Sequence, residues 1–168
     1  MRLRNLMEKD APLMLEWMHD PDVTGGLTGG FAEKELADCI DFIKASANMS
    51  ENLHLAIVSD TDEYMGTVSL KQIDRQRKTA EFAITVRKAA MQKGYAWYGM
   101  EEILRLAFEQ QGLDSVYWCV SAKNPRACKF YDKHGFRRVT DMPETVLNTY
   151  GDRIDLYWYR VEKNEFTN

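Results

Sequence analysis

Two stretches of this chain place residue types at spacings that chemistry can use. The first reads Val86-Arg87-Lys88-Ala89-Ala90-Met91-Gln92-Lys93-Gly94-Tyr95-Ala96 and joins an alternating apolar segment to a helical one. A phosphate-rich ligand is held well by free backbone N–H groups at a helix N-terminus, where the unpaired donors and the helix dipole both favour negative charge. Gly94 lets a backbone approach such a ligand closely, Ala96 is small enough for the first helical turn to lie against a sheet, and Lys93 adds positive charge. An ordinary strand-to-helix turn reads the same way, so this stretch alone does not decide. The second stretch runs from Asn124 to Phe136, Asn-Pro-Arg-Ala-Cys-Lys-Phe-Tyr-Asp-Lys-His-Gly-Phe. Asn124 suits a helix N-cap, Ala127, Phe130 and Tyr131 share one helical face, and Gly135 suits the left-handed residue that ends a helix.

Other reactive residues point elsewhere. Cys39, Cys119 and Cys128 are odd in number and scattered, which suggests neither a disulfide framework nor a metal-binding pair. His19, His54 and His134 lack the partner spacing of a zinc site, and no metal is expected.

Stepping outward, the elements that must hold these stretches follow from periodicity. Met1 to Leu6 alternates as a strand, and Leu13, Met14, Trp17 and Met18 recur at helical spacing ahead of Pro21. Asp20 to Gly30, with two Gly pairs, reads as a flexible loop, either a plain connector or a wall of a substrate site. A helix is expected over Ala32 to Ala47, with Leu36, Cys39, Ile40 and Phe42 or Ile43 on its apolar side. His54 to Ser59, Tyr64 to Asp74 and Lys78 to Val86 then form an antiparallel meander. From residue 95, Ala96, Met100, Ile103, Leu104, Ala107 and Phe108 make one helical face, ended by Gly112. Ser115 to Val120 is a further strand, parallel to the last meander strand by the right-handed crossover rule. The 124–134 helix follows, with closing strands at Arg137 to Asp141 and Ile154 to Val161. The expected class is α+β, with one central mixed sheet flanked by helices.

Length and charge bound the partners. At 168 residues the chain suits one domain rather than two. Within it, 1–53 supplies acceptor-side elements, 54–136 a ligand-binding core and 137–168 the closing strands. A net charge of −4 argues against general nucleic-acid binding, which depends on Lys and Arg neutralising phosphates. A local basic patch can still hold one anionic ligand. No apolar run approaches the roughly 20 residues of a membrane helix, and Met1-Arg2-Leu3-Arg4 leads into no signal-peptide core, so a cytoplasmic location is expected.

At the two stretches singled out above, the chain resembles the GNAT acetyltransferase superfamily. That family's loop has Gln or Arg, two residues, Gly, one residue, then Gly or Ala; Gly94 and Ala96 match, Met91 replaces the Gln or Arg, and Lys88 stands where Pro is common. Its second signature is matched by Asn124, Ala127, Tyr131, Gly135 and Phe136. The N-terminal part, with Trp17, Asp20-Pro21 and Val23, is similar to the branch of ribosomal-protein and amino-sugar acetyltransferases. The resemblance implies acetyl-coenzyme A as cosubstrate, contacted by Ile84, Val86, Met91, Gln92, Lys93, Gly94, Tyr95, Ala96, Asn124 and Lys129, with Asn124 on the pantetheine arm. It also implies that a backbone N–H near Val86 receives the thioester oxygen and that Tyr131 protonates the departing thiolate; a purely packed aromatic is the alternative for Tyr131. Direct attack needs a neutral amine, and deprotonating an alkyl amine of pKa near 10 at pH 7 costs about 4 kcal/mol. Glu81, early on the strand leading to the loop, is the candidate base, with an outward-facing strand carboxylate as the alternative. Cys119 stands where some members place a catalytic Glu. The expected acceptor is a small amine or a nucleotide-linked amino sugar, with Asp20, Asp22 and Glu81 as an acidic mouth. A protein N-terminus as acceptor, and a non-catalytic acyl-coenzyme A binder, are the other readings. Tyr150, Tyr157, Trp158 and Tyr159 would line the acceptor pocket or a homodimer contact, or simply pack within strands.

Overall fold

A computed structural model describes residues 1–27, 29–151, 153 and 155–166. Seven strands form one sheet in the order β1-β2-β3-β4-β5-β7-β6. They are β1 (Arg2–Asn5), β2 (Leu53–Val58), β3 (Tyr64–Asp74), β4 (Thr79–Val86), β5 (Ser115–Ser121), β6 (Arg138–Val139) and β7 (Leu156–Glu162). Every neighbouring pair is antiparallel except β4 and β5, as the crossover rule requires.

The helices are α1 (Ala11–Met18), α2 (Pro21–Thr24), α3 (Leu36–Ser46), α4 (Tyr95–Arg105), α5 (Pro125–Lys133), α6 (Glu144–Leu147) and α7 (Lys163–Phe166). They cover both faces of the sheet, and β2 shows why. Its Leu55 and Ile57 enter the core shared with Met100, Ile103, Leu104 and Phe108, whereas Ala56 and Val58 enter a second core with Met14, Trp17, Cys39 and Ile43. A strand buried on both sides reads as a continuous apolar run. A third, small cluster joins Tyr117, Met142 and Trp158.

Several boundaries differ from expectation for local reasons. Pro21, which ends α1, also starts α2 at its first turn, where a missing N–H costs nothing; the Asp20 carboxylate accepts the Asp22 N–H at 2.9 Å as cap. The stretch read as a loop is therefore partly helical, and its Thr28 lies outside the described residues. The next helix begins at Leu36, not Ala32, because Asp38 accepts the Glu35 N–H at 2.8 Å and caps there, after a short 3-10 turn over Phe31–Glu33. Leu36, assigned to the apolar side, is 43% exposed. Beyond α4 the last turn widens to π form over Leu106–Gln110 before Gly112 at φ 67°. The strand expected over Arg137 to Asp141 shrinks to Arg138–Val139, and Ile154, taken as the start of the last strand, lies outside the described residues.

The feature that positions the site is where β4 and β5 part. They pair only at Thr79–Ser115, Ala80–Val116 and Glu81–Tyr117. Beyond Glu81, β4 continues to Val86 bonded to β3 alone, while β5 continues to Ser121 bonded to β7. One edge of β4 from Phe82 to Val86 is left without a strand partner.

Candidate active site

A cleft of about 790 Å³ fills the gap between the parting strands. Residues 82–86 of β4 and 118–121 of β5 form its walls, the start of α4 and the exposed side of α5 its mouth, and Val23, Gly26, Leu27 and Phe31 one rim. Part of the Asp20 to Gly30 stretch, Val23, Gly26 and Leu27, therefore lines this cleft.

At the mouth, Arg87 anchors the end of β4. Although only 6% exposed, its guanidinium donates to Glu16 twice at 3.0 Å, to Glu63 at 2.7 Å and to the Tyr64 carbonyl at 3.0 Å. The loop that follows leaves donors free. Met91 N–H and Lys93 N–H are used within the turn, at 3.1 and 3.4 Å, but the N–H groups of Gln92, Gly94, Tyr95, Ala96 and Trp97 find no acceptor among the described residues. Gln92 (φ 60°) and Gly94 (φ 85°) are both left-handed, the kind of backbone that builds a concave row of amides. Gly94 serves through this dihedral and not through closeness, since an added Cβ there would meet nothing nearer than Met1 Cε at 3.8 Å.

The expected ligand contacts divide. Ile84, Val86, Met91, Gln92, Gly94, Ala96 and Asn124 line the cleft. Lys93 and Lys129 are exposed and outside its lining, and Tyr95 packs against the main core. The cationic side chains that α5 adds to the lining are instead Arg126 and Lys133, beside His134, because Arg126, Phe130, Lys133 and His134 share the α5 face that Lys129 misses. Arg126 Nη1 donates to the Asp22 carbonyl at 2.9 Å and lies 3.4 Å from Met91 Sδ. That helical spacing was present in the sequence and marks Arg126 over Lys129.

Asn124 both caps and clamps. Its Oδ1 accepts from Ala127 N at 3.2 Å and its Nδ2 donates to the Gly26 carbonyl at 3.5 Å. Gly26 allows this approach, since a Cβ there would fall 2.5 Å from Asn124 Cγ. The acidic mouth does not form. Asp20 is used as a cap, and Asp22 pairs with Lys88 at 2.6 Å, which holds its carboxyl below the usual range; neither lines the cleft.

Deeper in, Tyr131 is 6% exposed, its ring set among Phe82, Trp118, Phe130, Phe136 and Tyr159 at centroid distances of 5.2 to 6.4 Å. Tyr131 lines the cleft, and no hydrogen bond of its hydroxyl is found among the described residues. Burial pushes its pKa well up, so at neutral pH it is a proton donor and not a phenolate. The ring is core and the hydroxyl is free, which joins the two alternatives for this residue.

Glu81 is 4% exposed at the far end of the same cleft. It is not an outward-facing carboxylate. Lys71 Nζ lies 3.3 Å from Oε1, the Tyr150 hydroxyl donates to Oε1, and Gln72 Nε2 donates to Oε2 at 3.4 Å. Beside them the Cys119 thiol is pushed up to about 11 by burial, then by the Glu81 charge, which keeps it protonated. Tyr150, one of the C-terminal aromatic residues expected at the acceptor pocket, at a homodimer contact or within strand packing, lines the cleft, but no sequence pattern links it to Glu81 across 69 positions. Of the other aromatic residues near the C-terminus, Trp158 and Tyr159 are buried and Tyr157 is exposed under the Arg138 guanidinium.

A parallel strand pair that parts beside an amide-lined helix start, with a tyrosine inside the cleft, is the arrangement that the resemblance to the acetyltransferases implies. The acetyltransferase (GNAT) domain model matches residues 1–137, and the chain belongs to that family of acetyl-CoA-dependent N-acetyltransferases. Among known proteins it is 25% identical to the uncharacterized N-acetyltransferase p20 of Bacillus licheniformis, over 98% of this chain and 93% of that one. Its fold is similar to that of spermidine N-acetyltransferase from Vibrio cholerae in complex with CoA and spermine, with a TM-score of 0.82 at 17% identity over 99% and 98% of the two chains. A dodecameric structure of the Vibrio cholerae enzyme in an intermediate state matches with a TM-score of 0.75 at 18% identity over 99% and 96%. Among the described residues no helix is long and apolar enough to cross a membrane, and no three His, Cys, Asp or Glu residues group to hold a metal.

Proposed function

We propose that this enzyme acetylates the primary amine of a small molecule by direct attack on acetyl-coenzyme A, and that the cleft divides between the two substrates. The reading rests on one observation: Gln92, Gly94, Ala96 and Trp97, whose amides find no acceptor among the described residues, line the same cleft as Tyr131, whose hydroxyl has none either. The diphosphate takes the free amides among Gln92, Gly94, Tyr95, Ala96 and Trp97, and the pantetheine arm runs as an added strand along the free β4 edge past Ile84 and Val86, with Asn124 at the opposite wall. Tyr131 gives its proton to the departing sulfur, and Glu81 receives the proton of the acceptor amine. Lys93 and Lys129 act at most through long-range charge.

The acceptor reading follows from the charges. Glu81 is matched by Lys71, while Asp20 and Asp22 are engaged elsewhere, so among the described residues the cleft holds no row of free carboxylates for a long polycation. A monoamine or a nucleotide-linked amino sugar fits this balance better than spermine, the ligand of the Vibrio cholerae structure. The test is calorimetric titration with acetyl-coenzyme A, then thiol release across a panel of simple amines, amino-sugar nucleotides, polyamines and N-terminal peptides. Transfer confined to the first two groups supports the reading, transfer confined to peptides or polyamines overturns the acceptor, and no heat of binding overturns the cleft assignment.

A further inference from the structure

We infer that Tyr150 is the proton relay between the acceptor amine and Glu81, a role that rests on Glu81 being the base proposed above. Glu81 is buried at the cleft's wall, and among the described residues a short list of groups surrounds it. Lys71 and Gln72 approach from β3, Tyr117 and Cys119 stand on β5, and Tyr150 and Arg153 come from the C-terminal segment. A group that passes a proton must both accept and donate one. Lys71 carries only donors, the Gln72 amide faces Glu81 as a donor, and Arg153 is held by Asp155 at 2.9 Å. Tyr117 and Cys119 make no hydrogen bond to Glu81 among the described contacts. The Tyr150 hydroxyl donates to Glu81 Oε1, and Tyr150 lines the cleft; with the Cys119 thiol as one neighbour, a hydroxyl's second lone pair can still accept from a ligand.

The local fold sets this up. Tyr150 ends a 3-10 turn after α6, and its ring packs edge-on against Trp158 at 5.3 Å. Tyr150 lies beyond residue 137, where the match to the family model ends. In the transfer step an N–H bond of the ammonium breaks as an O–H bond forms on Tyr150, while the original Tyr150 O–H bond breaks as one forms on Glu81. The amine becomes neutral, the phenol is regenerated, and Glu81 ends protonated. No phenolate is formed, which agrees with the strongly raised Tyr150 pKa produced by burial and by the Glu81 charge.

Tyr150→Phe keeps the ring on Trp158 and removes the relay. With the best acceptor from the panel, kcat should fall at least tenfold, the acetyl-coenzyme A KM should stay within twofold, and the acidic limb of the kcat/KM–pH profile should flatten. Glu81→Gln should lose as much, and the double variant should be no worse than the poorer single one. Tyr150→His, which can still accept and donate, should recover part of the rate; this separates a relay from a purely structural role. Unchanged or faster transfer in Tyr150→Phe, losses that multiply in the double variant, or no recovery with His overturns the relay. Transfer indifferent to Glu81→Gln overturns the base assignment as well, whereas loss in Glu81→Gln alone leaves that assignment standing and removes only the relay.

Discussion

Replacing Tyr131 by Phe tests the leaving-group half of the mechanism, because the structure separates what the ring does from what the hydroxyl does. The ring is in contact with five aromatic neighbours, all of which Phe keeps. The hydroxyl has no partner among the described residues, so its removal breaks no hydrogen bond in the folded state. Folding stability should then change by no more than about 0.5 kcal/mol, since a lost hydrogen bond would cost about 1 kcal/mol and none is lost. For a chain of this size that is a melting shift of less than about 2 °C. Catalysis should respond quite differently. A thiolate leaving without a donor forfeits general-acid assistance of about 10² to 10⁴-fold, and even the lower part of that range exceeds any effect of altered folding. Initial rates of thiol release at saturating acetyl-coenzyme A, beside a thermal melt with and without that ligand, read both quantities. A rate within threefold of the parent refutes the acid role, and a melting loss above about 5 °C shows that the hydroxyl is part of the packing after all.

Three further outcomes follow from single positions. Gly94→Ala places an L side chain at φ 85° with no neighbour inside 3.8 Å, so it should cost about 1–2 kcal/mol of backbone energy and lower the melting temperature by about 2–8 °C; an unchanged melt shows that α4 does not need this turn. Gly26→Ala should push Asn124 off its cap, lowering stability by about 1 kcal/mol, with Asn124→Ala adding little on top; full additivity in the double variant means the two do not share a contact. Cys119, raised from 9.0 to about 11, should alkylate about 100-fold more slowly at pH 8 than an ordinary thiol. The unfolded chain releases this proton first, so its contribution to stability should be constant below pH 9 and decline as pH rises towards 11; alkylation at the rate of an exposed cysteine refutes the burial.

Much of this molecule could be read from one string of residues. The meander, the crossover, the α4 face and the Asn124 cap all rest on local periodicity or on a residue with one favoured job, and signals of that range survive folding. Where local competition decides, the reading slipped by a few residues: Pro21 both stops one helix and starts another, and the Glu35–Asp38 cap moves the next helix start past Ala32. On α5 the helical spacing puts Arg126, and not Lys129, on the face that lines the cleft.

The sequence by itself determined the order of elements, the left-handed glycine before α4 and the presence of a tyrosine on the inner face of α5, because each depends on neighbours a few positions away. Only the tertiary structure decided where β4 leaves β5, that Lys71 and Gln72 of one strand meet Glu81 of the next, and that Tyr150 closes over the same carboxylate from 69 positions away. Those relations arise from strand register and sheet twist acting across the whole fold, and no local pattern of residues encodes a register until the strands have paired.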